Sequence, residues 1–340
     1  MEISELGEFG LIDRLTSAFP LKNPGTVKGI GDDAAILDYG GKEVLVSSDL
    51  LLEGIHFDIR YVPLKHLGYK SAIVNFSDIY AMGGTPRQLL VNIGVSSRFT
   101  VENIQELYDG LRLACDIYGV DLVGGDTSAS VTGLIISGTC LGEVDKGKAV
   151  TRSGAKPTDI ICVTGDLGAA YMGLQLLERE NSVAATSGKD FQPDFAGKEY
   201  ILERQLKPEA RKDIIEVLRK DDIHPTSMID VSDGLSSELL HICKNSNVGC
   251  RVYEDRIPID FQTALMAEEF NMNLVTAAMN GGEDYELLFT VPLTEREKIE
   301  NLKGISMIGY VTDKNLGAMM VSRDGNELPI KAQGWNSFDQ

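Results

Sequence analysis

The sequence is poor in the residues that most often bind transition metals or act as nucleophiles. It has four histidines, one tryptophan and five cysteines. Cys115, Cys140, Cys162, Cys243 and Cys250 are odd in number and form no C-x-x-C pair, so neither a disulfide framework nor a zinc site can be read from them. No basic run is present: 32 Lys+Arg stand against 51 Asp+Glu, a net charge of -19. That field repels nucleic acid and anionic membranes, and neither is an expected partner. No apolar run approaches the length of a membrane span. The opening MEISELGEFGLIDRLTSAF has the pattern of an acidic amphipathic helix, not of a basic signal peptide. The expectation is a soluble, cytoplasmic protein.

What is present is enough for more than one domain: 340 residues, 43% of them hydrophobic. Apolar runs bounded by Gly or Asp predict strands at 43–48, 88–95, 120–123 and 133–141. Helical spacing predicts helices near 65–82 and 101–118, the first ended by Gly83, Gly84 and Pro86. TRSGAKPTD at 151–159 reads as an inter-domain hinge. Beyond it, strands are predicted at 160–164, 227–231, 285–291 and 305–311, and helices near 167–180, 209–220 and 234–244. Residues 181–198 have no periodicity and read as a loop. The class is α+β in two domains, 1–150 and 151–340.

Two phosphate-loop patterns fail on charge. Gly29-Ile30-Gly31-Asp32-Asp33-Ala34 resembles a dinucleotide fingerprint, but two aspartates stand where a pyrophosphate needs bare N–H groups. Gly142 to Lys148 fits G-x-x-x-x-G-K, yet Ala149 replaces the hydroxyl residue and Glu143 and Asp145 lie inside the loop. It reads as a surface turn.

A set of acidic residues beside small ones remains: Asp32-Asp33, Asp49, Asp78, Asp126, Asp230, Asp233 and Glu283-Asp284. A lone Asp usually serves a turn or caps a helix. Asp78 resists that reading, because it falls mid-helix among Phe76, Ile79 and Tyr80, where an unpaired carboxylate is costly. Asp49, Asp126 and Asp230 each follow a predicted strand, so they are expected to converge. Two unit charges ~4 Å apart repel by about 4 kcal/mol at an effective dielectric of 20. Converging carboxylates therefore call for cations, and all-oxygen ligation without His or Cys favours several Mg²⁺ ions. A polyphosphate is the expected ligand of such an array.

Read together, GIGDDAAIL, SSDLLLEGIHF, NFSDIYAMGG, GGDTS, TRSGAKP, DVSDGL and GGEDYELLFTVP resemble the thiamine-monophosphate kinase family, within the superfamily of aminoimidazole-ribonucleotide synthetase. A GW-N-S-F tail extends the match, with Ser337 before Phe338 where the family has a His-Phe pair. The resemblance implies an N-terminal α/β domain that dimerises through its sheet and a C-terminal α+β domain packed against it. It implies ATP and several Mg²⁺ ions in the cleft, and thiamine monophosphate as acceptor. Asp33, Asp49, Asp78, Asp126 and Asp230 are then metal ligands, Ser47 and Ser48 lend oxygens, and Asp233 holds a further ion. Gly125, Asp126, Arg152 and Ser232 contact ATP, while His56, Glu283 and Trp335 contact the acceptor. Asp126, Arg152 and Asp230 form the catalytic set.

The chemistry so implied needs no Ser-His or Cys-His pair. A phosphate monoester has a second pKa of about 6, so the acceptor oxygen is anionic at neutral pH and direct in-line transfer is expected. Relatives with other chemistry fit less well. A selenophosphate synthetase needs a reactive cysteine near its N-terminus, where the first here is Cys115, and the hydrogenase-maturation relative needs a C-terminal cysteine. Aminoimidazole-ribonucleotide synthetase is the alternative enzyme, and a nucleotide-binding regulator without turnover the alternative from another class.

Overall fold

Strand β3 (Lys42–Leu52) alternates, with Glu43, Leu45, Ser47 and Leu51 buried on the face that also carries Asp49. It lies inside a six-stranded sheet ordered β1-β2-β3-β6-β4-β5, where the others are Thr26–Lys28, Ala35–Asp38, Thr85–Val95 (β4), Asp121–Ala129 (β5) and Ile135–Asp145 (β6). The structure, a computed structural model, describes residues 26–28, 31–186 and 192–333. The acidic opening segment and Trp335 lie outside them.

In this sheet, among the described residues, only β4 and β5 pair in parallel, because helix α2 (Val101–Tyr118) crosses between them. A Thr100/Asn103 capping box starts α2, and Gly119 at φ 71° ends it. Helix α1 (Leu64–Ala81) crosses from β3 to β4 and packs on α2 with near backbone contact. A Cβ at Gly68 would sit 1.8 Å from the Leu107 carbonyl oxygen, and one at Gly110 would sit 1.9 Å from that of Lys65.

The second sheet is seven-stranded, ordered β13-β12-β9-β11-β7-β10-β8, where β9 is Val248–Tyr253, β11 Ile305–Asp313, β12 Ala318–Val321 and β13 Glu327–Pro329. Its strands β7 (Ile160–Thr164), β8 (Ser227–Val231) and β10 (Glu286–Val291) are buried at every position, as expected of strands covered on both faces. Cys162, Met228, Leu287 and Phe289 join a core shared with Leu45 and Ile136 of the first sheet and Ala72 and Phe76 of α1. Their neighbours Val163, Ile229, Val231 and Leu288 pack with Leu235, Leu239 and Ile242 of helix α6 (Leu235–Ser246). Helix α1 is thus held between two sheets, and from Leu67 to Ala81 every residue except Asp78 is buried.

The principal strands and helices fall where the periodicity predicts them. Two strands run on past their aspartates, because pairing continues: Asp49 and Asp126 are interior to β3 and β5 rather than terminal. Helix α3 (Ala169–Thr186) extends into the stretch read as a loop, while 192–198 are irregular. The sequence reading misses helices α4 (Glu199–Leu206), α7 (Phe261–Glu269) and α8 (Leu274–Asn280) and strand β9 (Val248–Tyr253). The segment 151–159, read as an inter-domain hinge, is bonded to the elements that follow it. Met228 N–H donates to Thr151 O at 3.0 Å and Thr158 N–H to Val311 O at 2.9 Å, while Gly154 and Ala155 N–H both reach Ser246 Oγ at 3.1 Å. Among the described residues no helix is long and apolar enough to cross a membrane.

Candidate active site

A cleft of about 1450 Å³ opens between the two sheets along α1. Its donors come from every part of the chain: Asp33 before β2, Ser47, Ser48 and Asp49 on β3, Asp78 on α1, and Arg152. Asp230 on β8 and Ser232 and Asp233 just beyond it complete one wall, with His56 and Glu283 further along.

One carboxylate oxygen from each of Asp33, Asp78 and Asp230 lies within 4.8 Å of the others. Asp49 adjoins them, and its buried Oδ2 has no hydrogen-bond partner. Burial pushes Asp33 up to about 7 against the pull of Arg152, and pushes Asp49 and Asp230 up to about 6. Asp78 is raised well above the carboxylate range by burial, then by Asp49, Asp230 and Asp33. Four acids so placed must hold protons or cations. Hydroxyls steady two of them: Ser47 donates to Asp78, and Ser77 donates to Asp230 at 2.5 Å. Ser48 lines the cleft with its hydroxyl donating to Gly138 O at 2.9 Å.

Arg152 forks onto Asp33, with Nη2 2.7 Å from Oδ1 and Nε 3.2 Å from Oδ2. Its backbone N–H donates to Asp32 Oδ1 at 3.0 Å, so both aspartates of the GIGDDAAIL stretch serve this arginine. Glu238, buried on α6, accepts from Asp233 N–H at 3.1 Å. Burial, then Asp233 and Asp230, raise its pKa well above the usual carboxylate range. At the far end, Glu283 Oε1 pairs with Lys70 at 2.7 Å and Oε2 accepts from Gln205 of α4 at 2.9 Å. His56 Nδ1 accepts from Leu52 N–H at 3.0 Å.

Asp126 and Gly125 are not brought to this cleft. They lie on β5, where all nine residues are exposed, and Asp126 faces a separate depression with Asn92 and Ser137. A Cβ at Gly125 would sit 1.8 Å from Val91 O, so glycine lets β5 lie against β4. Of the acceptor set, Trp335 lies outside the described residues, and Gln333 lines the cleft with its N–H on Asn280 Oδ1 at 3.0 Å. Sequence reasoning misses Lys70, Ser77, Gln205 and Glu238. The one available signal is a lysine set within an otherwise apolar helical run.

The sequence profile described as "AIR synthase related protein, N-terminal domain" matches residues 31–144. The thiamine-monophosphate kinase of Bacillus subtilis (strain 168) is 34% identical over 340 residues, covering 98% of this chain and 100% of the relative. That of Aquifex aeolicus (strain VF5) is 32% identical over 338 residues, covering 99% and 100%. The solved structure of AaThiL complexed with AMPPCP and TMP superposes with a TM-score of 0.84 at 32% identity, covering 99% of each chain. By full-length sequence identity and by fold alike, the chain belongs to the thiamine-monophosphate kinase family.

Proposed function

We propose that this chain transfers the γ-phosphoryl group of ATP to the phosphate of thiamine monophosphate, forming thiamine diphosphate in the last step of that cofactor's synthesis. The observation that carries the reading is the group of Asp33, Asp78 and Asp230, their oxygens within 4.8 Å of one another beside Asp49, whose buried Oδ2 has no hydrogen-bond partner. Full-length relatives that are thiamine-monophosphate kinases support it, as does a structure of the same fold complexed with AMPPCP and TMP.

The all-oxygen donor set fits Mg²⁺. Asp33, Asp49, Asp78 and Asp230 would hold it, with Ser47 and Ser48 adjoining, and Asp233 would serve a further ion. Bound there, Mg²⁺ neutralises charge between these acids and the phosphates. Arg152, anchored on Asp33, is the cation nearest the nucleotide, with Ser232 beside it. His56, Glu283 and Trp335 meet the acceptor. An acceptor phosphate oxygen attacks the γ-phosphorus as the bond to ADP breaks, with no enzyme nucleophile and no general base.

Residues 1–150 form the nucleotide- and metal-binding part and 151–340 the second domain, in a cytoplasmic homodimer. The wholly exposed strand β5, with Leu122 and Val123 among its residues, is where a second copy seats. Through that contact Gly125 and Asp126 come to a nucleotide. The deciding experiment incubates the protein with ATP, Mg²⁺ and thiamine monophosphate and looks for thiamine diphosphate. No product overturns the reading. A stable label left by γ-labelled ATP alone, and chased onto added acceptor, replaces direct transfer with a phosphoenzyme route.

A further inference from the structure

The segment Glu283-Asp284-Tyr285 has an unusual backbone. Glu283 at φ 67° and Tyr285 at φ 51° are both left-handed, a conformation unfavourable for bulky side chains. Several contacts hold them there. Glu283 N–H donates to Ser232 O at 2.7 Å and Tyr285 N–H to Val231 O at 2.9 Å. Between them the buried Asp284 carboxylate accepts from Gly168 N–H at 2.7 Å and Ala170 N–H at 3.3 Å, capping α3. Arg204 Nη2 donates to the Asp284 carbonyl at 3.3 Å. The effect is to send Asp284 into the core while Glu283 and Tyr285 line the cleft.

Only Glu283 of these two cleft residues has a role so far. We propose that the Tyr285 hydroxyl binds the phosphate of the acceptor as a neutral hydrogen-bond donor, a role that rests on the kinase reading above.

Three observations carry it. The first is place: Tyr285 lines the same cleft as Glu283 on the acceptor side and Asp49, Asp230 and Asp233 on the metal side, and its N–H is held by Val231, next to Asp230. The second is protonation. A phenol with its ordinary pKa of about 10 keeps its proton at neutral pH, so it donates. The third is availability. Arg152 is engaged by Asp33 and Lys70 by Glu283, whereas among the described residues the Tyr285 side chain has no hydrogen bond of its own. A neutral donor orients a phosphate oxygen without adding a cation that the carboxylates would capture.

The test is Tyr285→Phe in the full chain with Mg²⁺, with kinetics joined to calorimetric binding of thiamine monophosphate and of thiamine. The expected result is a fall in kcat/KM for thiamine monophosphate of roughly tenfold to a hundredfold, with KM for ATP and Tm nearly unchanged. Affinity for thiamine monophosphate should fall while affinity for thiamine, which lacks the phosphate, stays constant. Unchanged kinetics overturns the inference and leaves the kinase reading standing, as does an equal loss of affinity for both compounds. A wild-type protein that forms no thiamine diphosphate overturns both.

Discussion

Asp78 lies in a helix whose other residues from Leu67 to Ala81 are all buried, and burial of its carboxyl, then three further carboxylates, raise its pKa. Such a residue costs the cation-free protein stability and returns it only in the loaded state. Asp78→Asn removes one of the mutually repelling charges and keeps the side chain's size. Turnover should fall on the order of a thousandfold or more, while the Tm of Mg²⁺-free protein holds or rises by a few degrees. Steady-state assays at saturating Mg²⁺ beside thermal unfolding in EDTA check both halves, and near-normal turnover removes Asp78 from the site. Asp78 is also where the sequence is most legible, since an acid at a helical position flanked by apolar residues has no cheap structural use. Lys70, Gln205 and Tyr285 are not legible, because each acquires its meaning from a partner distant in the chain. The Lys70–Glu283 pair joins helix α1 to the irregular segment before β10, and Gln205 sits on a helix that local spacing does not announce.

Among the elements, β5 is the one whose sequence and surroundings disagree. Residues 120–123 read as a buried strand, yet all of β5 is exposed in a single chain and paired on one side only, by β4. A strand left open at a sheet edge with Leu122 and Val123 exposed needs a cover. Sequence reasoning puts Asp126 just past a strand at 120–123, and cannot tell that the strand continues to Ala129 or that it is the sheet's edge. Two adjacent glycines separate the contributions. A Cβ at Gly125 would strike Val91 O at 1.8 Å, whereas one at Gly124 meets nothing nearer than Leu90 Cδ2 at 3.8 Å. Gly125→Ala should therefore part β5 from β4, lower Tm by several degrees and weaken self-association, while Gly124→Ala leaves both close to wild type. Sedimentation equilibrium with thermal unfolding reads the difference, and equal behaviour of the two variants would show that β5 does not need so close an approach.

For the whole molecule, the buried acids make stability depend on pH in an unusual direction. Asp33 and Asp284 are raised from 3.8 to about 7, and Asp49 and Asp230 to about 6. Each binds its proton more tightly folded than unfolded, so its stabilising contribution is full below about pH 4 and is lost as pH rises through 6 to 7. Mg²⁺-free protein should accordingly melt several degrees higher at pH 5.5 than at pH 8. Added Mg²⁺ should raise Tm more at pH 8 than at pH 5.5, because protons compete for the same oxygens. A Mg²⁺-free Tm that climbs steadily from pH 5.5 to 8 contradicts this. The core shared by α1 and both sheets bears on a different property, the molecule's outline in solution. Its two sheets cannot swing apart without exposing Phe76, Leu287 and Phe289, all fully buried, so closure around a ligand has to come from loops and not from a jaw-like rotation. Small-angle scattering should then give the same radius of gyration with and without a non-hydrolysable ATP analogue, and inhibitors that fill the cleft should meet walls already in place.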